Sequence, residues 1–360
     1  MVILRRFAAL LSCSAVLCYA GCGHGSNSGH TGAQSAGDAV ATVNGEPITR
    51  AEFDTQMENY TPDPRNPVAV PTGRAVLERL ISNLLVEQLA AQQKVAPTQA
   101  EIDDEFDNLA FQTSLTNVKT LEDQLDAVGV SDDEYKQSTI KPLLSQLKLL
   151  TKGITVSDAD VQNYYDQNKE KTFDQPARAH IKRIVLATKA QADAVYQQIK
   201  SGSKMFEDFL PESVMHDSPT GDISSWVPLD AKHAGDLQIL INAVNGVKTG
   251  ETALPFLFKG AYWIVKLVEK RPAELVPLAK AKSSITFALL EQKAQSNPAT
   301  FVAVKQQVRE FQIKSKIQIP EARYADFLQE LQHPLPDAPQ PTAAPPTFHV
   351  VPQASQKAHP

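Results

Sequence analysis

The spacing of apolar residues changes twice along this chain, and that double change excludes both a single uniform bundle and a single sheet. Residues 74–170 read as helices. In "RAVLERLISNLLVEQLAAQQKV" apolar side chains fall at 76, 77, 80, 81, 84, 85 and 89, a wide stripe on one helical face. Thr98 with Glu101 and Ser131 with Glu134 have capping-box spacing, so each marks a helix start, and Pro97 and Gly129 stand just ahead of them. Upstream, "AVATVNGEPITRAEFDTQM" combines a β-rich run, an Asn44-Gly45 turn and a third such pair, Thr49 with Glu52. From Phe173 short strands alternate with helices: "ARAHIKRIVLAT" is a strand, "KAQADAVYQQIKSG" a helix closed by Gly202, and "KMFEDFLPES" a short helix. "LQILINAVNGVKTGE" follows as a helix and glycine turn, and "AYWIVKLVE" as the last strand. Residues 278–331 return to helical spacing, with a break at "SNPAT". At 360 residues, 42% hydrophobic and 21% charged, the chain can bury more than one core.

The two ends differ from this middle. Arg5 and Arg6, the run "FAALLSCSAVLCY" and the small residues Ala20, Gly21 and Cys22 have the layout of a secretory leader, and the run is too short to span a bilayer. "YAGC" is similar to a bacterial lipobox, although Tyr19 stands where an aliphatic residue is usual. The residues allow lipidation at Cys22 or plain cleavage after Ala20, and both readings export the chain. Residues 1–21 carry two arginines and no acids, so their removal takes the net charge from −6 to −8. An acidic chain is a poor ligand for nucleic acid and is not drawn to anionic lipid, so a hold on the membrane would come from acyl chains at Cys22. Residues 22–38 are Gly/Ser-rich and read as a flexible tether, in which His24 and His30 lack a third metal ligand. All three cysteines lie in the first 22 residues, which excludes disulfides and thiolate metal sites elsewhere; no metal or cofactor is expected. After Gln332 come eight prolines in 28 residues with almost no charge, and residues 332–360 read as a disordered tail.

The order "VATVNGEPIT", "VLERLISNLLVEQLAAQQKVAPTQAEID" and "ITVSDADVQNYYDQNKEKTF" resembles the N-terminal chaperone domain of the SurA/PrsA type of exported folding factor. The stretch from "IVLATKAQADAVYQQIKSG" to "VKTGE…AYWIVKLVEKR" resembles a parvulin (PpiC-type) peptidylprolyl isomerase domain. The resemblance implies an α+β protein: a helical chaperone domain built from N- and C-terminal segments, with an inserted parvulin-like unit of small antiparallel sheet and helices. It implies a chaperone domain over residues 39–172, the parvulin-like domain over 173–272, and helices over 273–331 that pack back on the first domain.

Isomerising an X-Pro bond needs no covalent step, because catalysis consists of stabilising a twisted amide that has lost resonance. Parvulins place two histidines on neighbouring strands at the bottom of an apolar cup, with a cysteine or aspartate nearby. Counting forward from Pro176, the first histidine position falls on Arg183, and "YWIVKL" puts the second on Trp263. An indole has one donor and no acceptor, so Trp263 implies an apolar floor in place of a hydrogen-bonding one. The family's gripping phenylalanine falls on Leu240, and its double glycine is reduced to Gly221-Asp222. His180 stands three residues before Arg183, an odd offset that puts it on the opposite strand face unless a bulge intervenes. His216 and Asp217 fall near the loop of the family's cysteine or aspartate, and His216, a loop histidine beside an aspartate, reads as a surface residue. The catalytic candidates are therefore His180, Arg183 and Asp222, and the peptide-binding candidates Met215, Trp226, Leu240 and Trp263.

No phosphate loop, His-Glu-x-x-His pattern or nucleophile elbow is present, and the acids of "EIDDEFD" and "SDDEY" sit at helix starts, where the dipole favours them. The implied function is an exported, lipid-anchored chaperone or foldase that binds unfolded or proline-containing polypeptides, its isomerase activity weak or lost. The alternatives are an active isomerase with a shifted site, His180 or Arg183 acting with Asp222, and an envelope scaffold lipoprotein whose proline-rich tail docks partners.

Overall fold

Thr49, Thr98, Thr120, Ser131, Ser157 and Thr188 each cap the start of a helix with a side-chain hydroxyl. The computed structural model describes residues 39–60, 71–230 and 235–333; the leader, Cys22, the tether and all but the start of the proline-rich tail lie outside the described residues. Strands β1 (Ala39–Val43) and β2 (Glu46–Thr49) form a hairpin about Asn44 and Gly45, both at positive φ, as a two-residue primed turn requires. Thr49 then caps α1 (Arg50–Glu58) by accepting from the Glu52 N–H. After α2 (Thr72–Gln92), a reciprocal Thr98–Glu101 box opens α3 (Gln99–Thr116). Helices α4 (Leu121–Asp126), α5 (Asp132–Tyr135), α6 (Lys141–Leu150) and α7 (Asp158–Asn168) follow, with π-helical turns at Lys136–Ile140 and Lys169–Phe173.

A short ribbon then carries the chain out of the helical layer and back. β3 (Asp174–Gln175) pairs antiparallel with β8 (Glu274–Leu275), so the entry and exit of the intervening segment lie side by side. Between them stand β4 (Arg178–Leu186), α8 (Lys189–Lys200), a 3₁₀ turn at Phe206–Glu212, β5 (Val227–Pro228), α9 (Gln238–Asn245), β6 (Phe256–Phe258) and β7 (Ala261–Arg271). The strands form one antiparallel sheet in the order β5-β4-β7-β6. Alternation divides its side chains between two cores. Ala179, Ile181, Val185, Trp263, Val265 and Leu267 pack with Leu240 and Val244 of α9 on one face. Ile184, Leu186 and Ile264 pack with Ala192 and Val195 of α8 and with Phe206 and Phe209 on the other.

The C-terminal segment completes the first domain. Helices α10 (Leu278–Gln295) and α11 (Pro298–Lys314) break between Gln295 and Pro298, and α12 (Ala325–Gln332) follows. Within the segment read from the sequence as helical, Ile317–Gln318 form a strand, β9, that pairs with β1, Val43 lying opposite Ile317. Two residues carry no readable period, and this strand exists because its partner is supplied from the other end of the chain. Asn44 fixes the register, its N–H donating to the Lys316 carbonyl (2.9 Å) and its side-chain oxygen accepting from the Lys316 N–H (2.8 Å). Val40, Val43, Ile48, Phe53, Leu77 and Ile81 thus share one core with Ile317, Ile319, Phe327 and Leu331.

Candidate functional site

Within β4, Arg183 follows Ile181 and precedes Val185, so its side chain emerges on the α9 face; Trp263 of β7 emerges on the same face, directly opposite Val185. The guanidinium of Arg183 lies over the indole, 5.1 Å from the ring centroid. Phe258 supports the indole edge-on, at 4.9 Å and 88°. The loop after the Phe206–Glu212 turn runs along the free edge of β4. Val214 N–H donates to the Val185 carbonyl (2.7 Å), Arg183 N–H to the Gly221 carbonyl (2.8 Å), and Ile223 N–H to the Ile181 carbonyl (3.1 Å). That path brings Asp217 onto Arg183, where the carboxylate accepts from Nη2. The Arg183 hydrogen bond holds the Asp217 carboxyl below the usual aspartate range, so the pair stays ionised at neutral pH. Arg183's side chain is only 10% exposed and that of Asp217 58%, so the cation is recessed and the anion stands at the rim.

This geometry revises the sequence reading in three places. The position over Trp263 is not an apolar floor, because an ion pair covers the indole. The partner of Arg183 is Asp217 rather than Asp222. The catalytic candidates are also divided between the two faces of the sheet. His180 Nε2 lies 2.7 Å from Asp222 Oδ1 on the face away from Arg183, and its ring stands edge-on to Trp226 at 6.2 Å. A register shift does fall between His180 and Ile181, but the extra residue is Val268 of β7, so the alternation of β4 is unbroken.

Of the peptide-binding candidates, Met215 is 40% exposed and lies on the loop beside Arg183, next to the Val214–Val185 hydrogen bond. Leu240 and Trp263 are buried, at 2% and 6% exposure, and shape the site from beneath. Trp226 does something else. Its indole N–H donates to the carbonyls of Asn117 (2.8 Å) and Ser114 (3.2 Å) at the end of α3, and the Arg271 and Arg178 guanidinia lie 4.2 and 5.5 Å from its ring. It seats the inserted sheet on the helical domain and is not free for a client.

Two clefts lie in the helical domain. One, of about 480 Å³, is lined by Asn44, Leu89, Gln92, Gln93, Gln307 and Phe311, where α2 meets α11. The other, of about 370 Å³, lies between β2, α1, α2 and α6 and includes Glu46, Glu52 and Glu87, with Lys141 on Glu87 at 2.7 Å. Burial raises the carboxyl pKa of both Glu52 and Glu87. Among the described residues, no group of three or more His, Cys, Asp or Glu side chains could hold a metal ion, and no helix is long and apolar enough to cross a membrane.

A small antiparallel sheet entered and left through a paired ribbon, set in a helical domain built from the segments before and after it, is the plan of a parvulin-containing folding factor. Comparison with known proteins agrees. A SurA-like N-terminal domain matches residues 4–149, and a PPIC-type PPIASE domain matches residues 156–283. The chain thus carries, in order, the two domains of the SurA/PrsA type of parvulin-containing foldase. It is 26% identical to the foldase protein PrsA of Clostridium kluyveri over 314 residues, covering 78% of this chain and 88% of that one. It is 26% identical to the chaperone SurA of Legionella pneumophila over 258 residues, covering 66% and 58%. The crystal structure of PrsA from Bacillus subtilis is 23% identical, covering 81% of this chain and 99% of that one, with a TM-score of 0.24.

Proposed function

We propose that this protein is an exported chaperone and foldase, anchored through a lipidated Cys22, that holds unfolded or proline-containing polypeptides and isomerises X-Pro bonds slowly. The two domains of the SurA/PrsA type, together with relatives named foldase and chaperone, support the polypeptide-holding role. The leader and the "YAGC" motif support export and the anchor. One observation carries the reading of the inserted domain: Arg183, paired with Asp217, lies over the Trp263 indole, and the resemblance to parvulins puts the family's two histidine positions on Arg183 and Trp263. Such a set offers a peptide a recessed donor held over buried apolar residues, yet no imidazole pair. Met215 on the neighbouring loop gives the client an adaptable apolar contact. The amide-lined cleft between α2 and α11 suits the donors and acceptors of an extended backbone and forms a second holding surface.

The test pairs two measurements on the mature protein: suppression of aggregation of a chemically unfolded client, and cis/trans exchange of an X-Pro peptide followed by NMR. Suppression of aggregation together with slow acceleration of exchange is the expected result. Absence of both peptide binding and client protection would overturn the reading. For the anchor, Cys22→Ala should release the protein from the membrane fraction, and retention there would remove lipidation from the account.

A further inference from the structure

We infer that Arg183 is the catalytic residue for X-Pro isomerisation in this chain, its guanidinium donating a hydrogen bond to the prolyl nitrogen as the amide twists. This rests on the reading that a client proline occupies the α9 face of the inserted sheet. As the C–N bond rotates, amide resonance is lost and a lone pair localises on the prolyl nitrogen, which accepts nothing in the planar ground state. A donor fixed at that position therefore favours the twisted state over the planar one, which is what lowers the barrier. No bond is made or broken and no proton is transferred.

Four features of the site suit Arg183 to this role. The guanidinium is a donor only, with five N–H groups in a rigid plane, and it stays charged at any physiological pH. Its Nη2 is held by Asp217 and its flat face rests on Trp263, which leaves the plane no freedom to swing away. The bond to Asp217 is made through Nη2, and the fork carries further N–H groups on Nε and Nη1 that can serve as donors to a ligand. The side chain is only 10% exposed, and a recessed donor acts through a lower dielectric than one in bulk water. Asp217 is then a positioning residue, since it holds the fork without reaching the prolyl nitrogen. His180 has no part, because it faces the other side of the sheet with Asp222.

The experiment measures exchange of a short X-Pro peptide by NMR together with the affinity of the same peptide, in wild type and in Arg183→Leu, Arg183→Lys, Asp217→Asn and His180→Ala. Wild type should accelerate exchange. Arg183→Leu should lose about tenfold or more in kcat/KM while peptide affinity changes by no more than about twofold, the size expected for one transition-state donor. Arg183→Lys should fall nearly as far, because an ammonium cannot keep the paired, stacked geometry; it also guards against a folding defect in the leucine variant. Asp217→Asn should lose less, about threefold, through kcat rather than KM. His180→Ala should stay within about twofold, and the wild-type rate should be flat from about pH 5.5 to 8.5, across the range where an imidazole titrates. An Arg183→Leu protein that binds peptide and keeps the wild-type rate overturns the proposal. So does a rate that falls in His180→Ala or follows an imidazole titration. If the wild type binds peptide without accelerating exchange, this proposal fails and the holding function stands; if it binds no peptide, the reading beneath it fails as well.

Discussion

Gly221 is the residue at which the loop bearing Asp217 comes closest to β4. It sits at φ +74°, and a Cβ built there would lie 2.8 Å from the Arg183 carbonyl oxygen and 2.6 Å from Leu210 Cδ2. The leucine methyl can move aside, but the carbonyl oxygen belongs to a strand bonded on both edges. Gly221→Ala therefore combines the strain of a left-handed conformation with a clash that only loop displacement relieves. The expected destabilisation is about 2 kcal/mol in urea unfolding, with loss of the Arg183–Asp217 contact. An unchanged midpoint would show that the loop is not pinned there. The same loop marks where the sequence stops being informative. Arg183 and Trp263 could be located by counting along strands, because a strand has a period of two. Asp217 could not be assigned to Arg183, because an aperiodic loop does not reveal which way each side chain points. Trp226, read as a client contact, gave no sign that its N–H was already committed to carbonyls more than a hundred residues earlier.

At the scale of elements, the contact between α3 and α10 carries an unusual feature for a helical seam. Glu105 of α3 and Glu291 of α10 are both buried, and the pKa of each is pushed up to about 7, by burial in both cases. The charge of Glu291 also raises Glu105, against a lowering hydrogen bond from Asn108 (3.0 Å). Among the described residues, no lysine or arginine lowers the pKa of either. A folded-state pKa above the unfolded value means the native state binds the extra proton between about pH 4.3 and 7. Stability should therefore fall as pH rises through that window and level off above it. Glu105→Gln keeps an acceptor for Asn108 and removes the charge, so it should stabilise the protein at pH 8 by about 2 kcal/mol and have little effect at pH 4.5. Urea midpoints at the two pH values provide the check, and equal shifts at both would exclude a titrating seam. The sequence displayed α3 through its Thr98 capping box and α10 through its spacing, but not the pairing of the two helices. Helical period identifies which face is apolar, and leaves open which partner covers it.

For the molecule as a whole, the arrangement of cores states which pieces can be separated. Gln175 lies opposite Glu274 in the β3–β8 ribbon, so the ends left by removing residues 176–273 are already hydrogen-bonded neighbours. An Asn-Gly turn placed between them closes a hairpin of the kind that two-residue loops favour. What is lost is the seat of Trp226 on α3 and the hydrogen bond from Val118 N–H to the Ser224 carbonyl (3.0 Å), after which the freed groups at the end of α3 meet water. The excised protein should therefore fold, with strong helical circular dichroism and a cooperative urea transition, and should still protect clients through the clefts of the helical domain while losing X-Pro exchange. A chain stopped after residue 315 should behave in the opposite way, although it removes far fewer residues. It loses Ile317, Ile319, Phe327 and Leu331, all buried in the core that holds β1, α1 and α2. At about 2 kcal/mol for each buried apolar side chain, their loss approaches the whole stability of an ordinary domain. It also strips β1 of the strand at its second edge. That truncation should abolish the cooperative transition of the helical domain, and a retained transition would mean that the first domain does not depend on the returning segment.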